Sequence, residues 1–318
     1  MSKKFLFLAV FIMSNLYAQD VLKIGVLNYG TVNWELDVIK HYELDKKYGF
    51  DLQLTQLASK NAQLIALQSK SVDVILNDWI WVNTQRDKNK QFVFYPYSKA
   101  TGTLYINPKS EIKTFENLKD KELGIAGGVD DKTWIILRAY TKKKYNLDLK
   151  NIVKPVFATA PILYKKMEDE SLNASINYWH FNAKLEKFGM KPLVLMENVF
   201  SEFGVNSDIP FVGWTFYKDF STENHDLINS FLKASFEAKD ILNSSEKEWD
   251  RLKDLMKVDN ENDFEALKEG YKKSIIKDFT NENIKDIEKI FLLLLNEGKD
   301  DLSQESKVLE KDIFYKVQ

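Results

Sequence analysis

The residues of this sequence that are best suited to binding a small molecule follow two predicted strands. Asp78 offers a carboxylate that could pair with an amine or a ring N–H of a ligand. Trp79 comes next, and Tyr178, Trp179 and His180 stand about one hundred residues later, again after a predicted strand. Aromatic faces beside one carboxylate favour a flat ligand that could carry nitrogen over a bare inorganic anion.

Backbone groups add a second kind of binding feature. Gly127 and Gly128 form a loop in which the backbone can approach a ligand closely, because glycine has no Cβ atom. Ser59 and Thr159 precede predicted helices, whose first N–H groups suit an anionic or carbonyl oxygen. Ligands of open parallel sheets bind beyond the carboxyl ends of the strands. The candidate ligand-binding residues at such positions are Asn28, Tyr29, Trp34, Ser59, Asp78, Trp79, Gly127, Gly128, Asp130, Thr159, Tyr178, Trp179 and His180.

The main candidates also have purely structural alternatives. Trp34 and Trp134 stand at helical spacing, and large aromatic side chains mostly pack in cores. Trp79 and Trp179 follow strand ends, where they could line a cleft or pack inside. Asp78 could be a solvated loop acid. The sequence leaves these alternatives open.

An internal repeat indicates how the candidate residues are positioned. Residues 70–79 are echoed by residues 170–179, and two further pairs of segments match in the same order. These pairs are residues 24–26 with 123–125 and residues 47–52 with 144–149. An ordered repeat of this length predicts two similar α/β lobes with a cleft between them.

Each lobe has the pattern of alternating strands and helices. The first lobe has predicted strands at residues 22–28, 50–54 and 72–76, separated by helical periodicity. The second lobe repeats this order between residues 122 and 178. The order βαβαβ predicts a parallel sheet in each lobe. The predicted divisions are lobe 1 at residues 19–102, lobe 2 at 103–207, and a return to lobe 1 with C-terminal helices at 208–318, which we expect to pack on the first lobe.

The N-terminus has the pattern of a secretory signal. Lys3 and Lys4 are followed by a short apolar run and by Ala18, a small residue at a plausible cleavage site. The apolar run is too short to span a bilayer as a helix. We therefore expect residues 1–18 to be a signal peptide, with cleavage after Ala18 and export to the periplasm.

The composition excludes several classes of function. The chain has no cysteine, which removes disulfides, thiolate metal sites and cysteine nucleophiles, and its three histidines lack metal-ligand spacing. The formal net charge of −2 and the lack of a basic block give no sign of nucleic-acid binding. We expect no catalytic residues, no metal and no cofactor.

Residues 104–128 resemble a segment of periplasmic substrate-binding proteins of ABC importers. In that family the segment has a hinge strand, a serine-containing turn, the sequence Leu-Lys-Gly-Lys, a strand and a glycine loop. Asp120 stands here in place of the glycine. The family also has Gly-x-x-Asp-Ala before the last strand of each lobe, and residues 70–73 and 170–173 keep parts of it. The similarity is to the nitrate, sulfonate, taurine and thiamine-pyrimidine-precursor branch and covers roughly residues 22–218.

The resemblance implies a fold and a function. The expected fold is the bilobed type II periplasmic-binding-protein fold, with two βαβαβ lobes, a hinge and a C-terminal helical extension. The expected function is to capture a small solute by hinge closure and to deliver it to an ABC permease in the inner membrane. A shuttle that docks by both lobes is expected to be a monomer.

Two other functions are compatible with the same resemblance. The chain could be an exported sensor subunit that presents its closed form to a membrane receptor. Relatives of the thiamine-precursor branch also include a cytosolic pyrimidine-forming enzyme with a cysteine-rich motif. The export signal and the lack of cysteine argue against the enzyme.

Overall fold

The computed structural model describes residues 19–276, 278–298 and 307–317. The predicted signal peptide, residues 1–18 with its cleavage site after Ala18, lies outside the described residues. The described chain forms two lobes, each built on one five-stranded sheet.

The first lobe alternates strands and helices from its first residue. Its elements are β1 (Asp20–Leu27), α1 (Val32–His41), α2 (Leu44–Lys47), β2 (Phe50–Leu57), α3 (Lys60–Gln68), β3 (Val74–Asp78), α4 (Trp79–Arg86) and β4 (Phe92–Ser98). β1 pairs in parallel with β2 and with β3. This is the βαβαβ unit that the sequence pattern predicts.

The second lobe repeats that order after one added strand. Its elements are β5 (Thr103–Ile106), β6 (Glu122–Ala126), α5 (Lys132–Tyr145), α6 (Leu149–Ile152), β7 (Lys154–Ala158), α7 (Ala160–Glu168), β8 (Ala174–Asn177), α8 (Trp179–Leu185), β9 (Lys191–Pro192) and α9 (Met196–Glu202). β6 pairs in parallel with β7 and β8, whereas β5 is antiparallel to β8. The sheet order is β7-β6-β8-β5-β9.

The chain then returns to the first sheet and ends in helices. The remaining elements are β10 (Val212–Tyr217), α10 (Lys218–Glu223), α11 (His225–Ser244), α12 (Glu246–Met256), α13 (Glu261–Ser274) and α14 (Asn281–Gly298). β10 inserts between β3 and β4 and is antiparallel to both, which gives the order β2-β1-β3-β10-β4. Both sheets are therefore mixed rather than wholly parallel, because each contains a strand that enters from the other lobe.

Two segments of chain connect the lobes ahead of the C-terminal helices. The first joins β4 to β5 through residues 99–102, and the second lies between α9 and β10. Gly102 in the first segment lies against the backbone of β8, because a Cβ atom there would stand 1.9 Å from the Asn177 carbonyl oxygen. The boundaries at residues 102 and 207 stay a prediction.

The C-terminal helices divide between the two lobes, which corrects the expectation that they all pack on the first. Trp249 of α12 and Tyr271 of α13 pack on Trp34 of lobe 1, with ring centroids 5.9 and 5.8 Å from it. α14 packs on α5 of lobe 2, and its Phe291 also meets Trp79 of lobe 1, with ring centroids 6.5 Å apart. It does so because one face of α14 is apolar and fully buried, and this face carries Ile287, Ile290, Phe291 and Leu294. Among the described residues, no helix has the length and apolar character needed to cross a membrane.

The repeat is also visible in the backbone. Lys70 and Glu170, which stand at matching positions, have φ values of 59° and 60°. Asp120, at the position where the resembling family has glycine, has φ 61°. Aspartate adopts this left-handed conformation more readily than most residues. The local turn is therefore kept without the glycine.

Candidate ligand-binding cleft

A cavity of about 190 Å³ lies between the lobes, and both lobes contribute polar side chains to it. We call it the cleft cavity. The polar and aromatic residues from lobe 1 are Thr31, Lys60, Gln63, Asn77, Asp78, Tyr97 and Ser98. Those from lobe 2 are Asp130, Asp131, Lys132, Thr133, Tyr178, Trp179 and His180, together with the backbone of Gly127.

The cleft cavity lies at strand ends and helix starts. The first residues of α1, α3, α5 and α8 line it, so four helix N-termini from the two lobes meet there. The first N–H groups of a helix lack intrahelical acceptors and carry partial positive charge. Asp78 ends β3 and caps α4 by accepting a hydrogen bond from the Trp81 N–H at 2.8 Å. Asp131 caps α5 in the same way, through the Trp134 N–H at 3.0 Å.

Asp78 is the centre of an ion-pair cluster that joins the lobes. Its Oδ2 atom lies 3.1 Å from Lys60 Nζ of lobe 1 and 3.9 Å from Lys132 Nζ of lobe 2. Burial alone would raise the pKa of Asp78, but the two ammonium groups outweigh burial and hold this pKa at about 2. The Asp78 carboxylate is therefore ionised and already paired. It is not the free partner for a ligand amine that the sequence suggested.

The other titratable groups of the cavity are also shaped by burial. Burial would lower the pKa of Lys60, but the charges of Asp78 and Asp130 raise it, so Lys60 stays protonated. Burial raises the pKa of Asp131 and that of the Tyr178 hydroxyl. Burial and the charge of Lys184 lower the pKa of His180 to about 3, so its imidazole is neutral at neutral pH. Lys60 and Lys132 are the cations that a bound solute would meet.

A buried polar network supports the Tyr97 wall of the cavity. Glu35 is fully buried and accepts hydrogen bonds from Ser235 Oγ at 2.5 Å and Tyr271 Oη at 3.0 Å. Lys239 Nζ lies 3.8 Å from Glu35 and 4.2 Å from the centre of the Tyr97 ring. Burial lowers the pKa of Lys239. These contacts fix the Tyr97 ring from behind, because it is held by a cation–π contact as well as by packing.

Six of the candidates from the sequence line the cleft cavity, namely Asp78, Gly127, Asp130, Tyr178, Trp179 and His180. Ser59 lies one residue outside it and caps α3, accepting a hydrogen bond from the Ala62 N–H at 3.2 Å. Thr159 is the N-cap residue of α7, although its side chain makes no capping hydrogen bond. Asn28, Tyr29 and Gly128 lie near the cavity in sequence but do not line it, and Tyr29 packs on Phe181 of the other lobe with ring centroids 6.1 Å apart.

Two tryptophans among the candidates are core residues. Trp34 is 5% exposed and packs on the C-terminal helices. Trp79 is fully buried, and its indole N–H donates to the Pro210 carbonyl at 2.9 Å. Both rings are covered by segments that follow α9 in the chain, namely the second connecting segment and the C-terminal helices.

Several lining residues are not among those predicted from the sequence, above all Lys60 and Lys132. Each is the first residue of a helix and directly follows its cap, Ser59 or Asp131. The signal for Lys60 was therefore present in the sequence, because Ser59 is predicted to precede a helix and Lys60 is the next residue. Among the described residues, no group of three histidine, cysteine or acidic side chains could hold a metal ion.

Two mixed sheets, two crossing segments and a polar cleft between the lobes define the fold. It is the bilobed α/β fold of periplasmic binding proteins, and solved structures agree. The alkanesulfonate-binding protein SsuA from Xanthomonas axonopodis pv. citri, bound to MOPS, is similar with a TM-score of 0.73 at 13% identity, covering 93% of this chain and 98% of that one. The periplasmic aliphatic sulphonate binding protein SsuA from Escherichia coli gives a TM-score of 0.72 at 16% identity, covering 94% and 93%.

An enzyme has the same fold. The desulfurization enzyme DSZB gives a TM-score of 0.61 at 11% identity, covering 92% of this chain and 98% of that one. No protein-family model matches the sequence, and no curated protein matches it. The likeness to solved structures therefore shows the fold, and the function has to be argued from the cleft.

Proposed function

We propose that this chain is the exported solute-binding subunit of an ABC-type importer. It captures a small organic solute between its lobes and delivers it to a permease in the inner membrane. It acts as a periplasmic monomer after removal of residues 1–18. The proposal combines the signal-like N-terminus with the fold, which the chain shares with two sulfonate-binding proteins.

The proposal rests on one observation, which is that both lobes contribute residues to the lining of the cleft cavity. Asp78 and Tyr178 stand at matching places in the repeat, and both line the same cavity from opposite lobes. Because a solute there touches both lobes, binding favours the closed arrangement over the open one. This is the property that a solute-capturing protein needs.

The helix N-termini and the lysines of the cleft cavity favour an organic solute with an acidic group. The first residues of α1, α3, α5 and α8 line the cavity, and Lys60 and Lys132 place their ammonium groups there beside the carboxyl groups of Asp78, Asp130 and Asp131. Asp78 holds both lysines in place, so a ligand acid would add to a charge-assisted network that is already formed. Tyr97 and Trp179 offer flat apolar faces for the rest of the solute. The proposed solute class thus changes from a flat ligand that could carry nitrogen to a flat or apolar organic acid.

An enzymatic function is the weaker alternative, although one structural neighbour is an enzyme. A cysteine nucleophile is ruled out by the sequence, which contains no cysteine. His180 is neutral and lies at the cavity wall, but burial holds its pKa at about 3, far from the range that suits a general base at neutral pH.

A thermal-shift screen of the protein from residue 19 onward tests the proposal. The panel contains organic sulfonates and carboxylates, pyrimidines, thiamine, nitrate and small amines, and each acid is paired with its neutral amide. A ligand at 100 times its Kd stabilises the fold by about 2.7 kcal/mol. We expect a saturable shift with an organic acid and none with its amide. The lack of a thermal shift with every compound would count against solute capture. A thermal shift with amines alone would overturn the assignment of the solute as an acid.

A further inference from the structure

The lobes touch at a second place, away from the lysines of the cleft cavity. There α8 of lobe 2 packs on α13, which belongs to the lobe 1 core. We call this contact the α8–α13 clasp. It consists of Trp179, Lys184 and Lys187 on the lobe 2 side, and of Asp259, Asp263, Gly270 and the end of α12 on the other.

The polar part of the clasp is formed by two lysines. Lys187 Nζ lies 2.5 Å from Asp259 and 3.1 Å from Asp263, whose side chain is only 2% exposed. Lys184 Nζ donates to the carbonyls of Met256 and Lys257 at 3.1 and 2.7 Å. These carbonyls stand at the C-terminus of α12, where a cation is favoured by the helix dipole. The charges of this region thus bridge the lobes.

In the apolar part of the clasp, the Trp179 ring packs directly on Gly270. A Cβ atom on Gly270 would stand 2.4 Å from Cζ3 and 2.9 Å from Cε3 of the Trp179 ring. Glycine inside a helix is otherwise unfavourable, and Gly270 lies within the 14-residue helix α13. The close packing of the indole ring explains why glycine occupies this position.

Trp179 also lines two cavities at once. One is the cleft cavity, and the other is a cavity of about 370 Å³ beside the first connecting segment. Ala100 and Thr101 of that segment line both cavities as well. The Trp179 ring is thus the partition between the solute site and the hinge side, and its outer edge rests on α13.

From these contacts we infer that Trp179 is a positioning residue that links solute in the cleft to closure of the lobes through its seat on Gly270. This inference rests on the proposed function. A solute packed against the inner face of the indole holds the ring over Gly270, and the seated ring draws α8 onto α13. The lysine pairs of the clasp then stabilise the closed arrangement.

The lack of native cysteine allows a direct test by distance measurement. Ile65 on α3 and Ile162 on α7 are 67% and 51% exposed and lie on opposite lobes, so each can be replaced by cysteine and given a nitroxide label. Double electron–electron resonance then reports the inter-lobe distance, without solute and with a saturating compound from the thermal-shift screen. Gly270→Ala should deplete the closed population and weaken solute binding about tenfold, because the added methyl group unseats the ring.

A double-mutant cycle separates the seat from a general effect on α13. In a Trp179→Ala background, Gly270→Ala should change neither the distances nor the affinity further, since the clashing ring is gone. Glu269→Ala, at the preceding exposed position of α13, is the matched control and should behave as the wild type.

The clasp and the proposed function fail in different ways. Distances and affinity that are the same in Gly270→Ala and in the wild type overturn the clasp, even if a solute is found. The clasp is also overturned if Gly270→Ala weakens solute binding equally in the wild type and in the Trp179→Ala variant. A screen without any hit counts against solute capture, and the unliganded distances still test the clasp.

Discussion

The two lobes share one backbone arrangement, but matching side chains in the two lobes differ in burial and contacts. Asp78-Trp79 in lobe 1 and Tyr178-Trp179 in lobe 2 occupy the same place, at the end of a strand and the start of a helix. Trp79 is fully buried, packed against Phe211 and Phe291 with ring centroids 6.3 and 6.5 Å away. Trp179 is partly exposed and lines the cleft cavity. The repeat thus determines the place of a residue in its lobe, whereas the segments that pack over it determine whether it is buried or lines the cleft.

The charges of the cleft show the same division between the lobes. Lobe 1 places the carboxylate of Asp78 at its strand end, and lobe 2 places the uncharged Tyr178 there. Lobe 2 instead contributes Lys132 at the start of α5, which reaches Asp78 across the cleft. The lobes are thus similar in backbone, and the Asp78–Lys132 pair joins them across the cleft.

The largest expected difference is between the two tryptophans. Trp79→Ala should lower the free energy of unfolding by about 3–5 kcal/mol, because it removes a fully buried ring and leaves a cavity. Trp179→Ala should lower it by about 1 kcal/mol, because its ring is only partly buried, and should act on solute binding instead. Urea unfolding measures both. Equal losses for the two variants would mean that the lobes do not differ in this way.

A second comparison concerns matching glycines in the centre of the first strand of each unit. A Cβ atom on Gly124 would stand 2.6 Å from Leu172 and 2.8 Å from Leu163, both buried, whereas on Gly25 the closest atoms are 3.1 Å away. We expect Gly124→Ala to cost about 2 kcal/mol through overpacking and Gly25→Ala to cost less than about 1 kcal/mol. The same unfolding experiment decides, and the reverse order would contradict the tighter packing of lobe 2.

The ion pairs of Asp78 predict a dependence on pH. Its pKa is about 2 in the folded protein and lies below the usual value of 3.8, so its contribution is present above pH 4 and is lost as the pH falls towards 2. The stability advantage of wild type over Asp78→Asn should therefore shrink by roughly 1–2 kcal/mol between pH 5 and pH 2. Asparagine keeps the helix cap, so the variant isolates the charge. A constant gap over this range would show that the pairs with Lys60 and Lys132 do not contribute.

The smallest effect expected is at the helix caps. Ser59 accepts a hydrogen bond from the Ala62 N–H, whereas the matching Thr159 makes no such bond with its side chain. Ser59→Ala should cost about 1 kcal/mol and Thr159→Ala a few tenths, as measured by thermal unfolding. If Thr159→Ala were the more costly variant, the difference in capping would be wrong.

The sequence predicted the parts of the fold that are local or repeated. Strand positions, the βαβαβ order and the start of α3 at Ser59 follow from periodicity and capping, which depend on neighbouring residues. The place of α14 could not be predicted, because an amphipathic pattern indicates that one face of a helix is buried but not which element covers it. Local sequence patterns do not show which distant segments contact each other.

The candidate site was predicted in outline for the same reason. Strand ends identified Asp78 and Tyr178, and both line the cleft cavity. The burial of Trp79 depends on Phe211 and Phe291, and the pairing of Asp78 depends on Lys132 of the other lobe. None of these three partners is near in sequence, so the amine-binding role suggested for Asp78 could be revised only once the lobes were seen together.

The central claim is that one solute is held by both lobes, and calorimetric titration tests it most directly. The solute found in the screen is titrated into the wild type, into Lys60→Gln of lobe 1 and into Lys132→Gln of lobe 2, with the exposed Lys70→Gln as control. We predict that each cleft variant weakens Kd about tenfold or more while Lys70→Gln does not, because each cleft lysine contacts the solute acid. Wild-type affinity in both cleft variants would contradict the account.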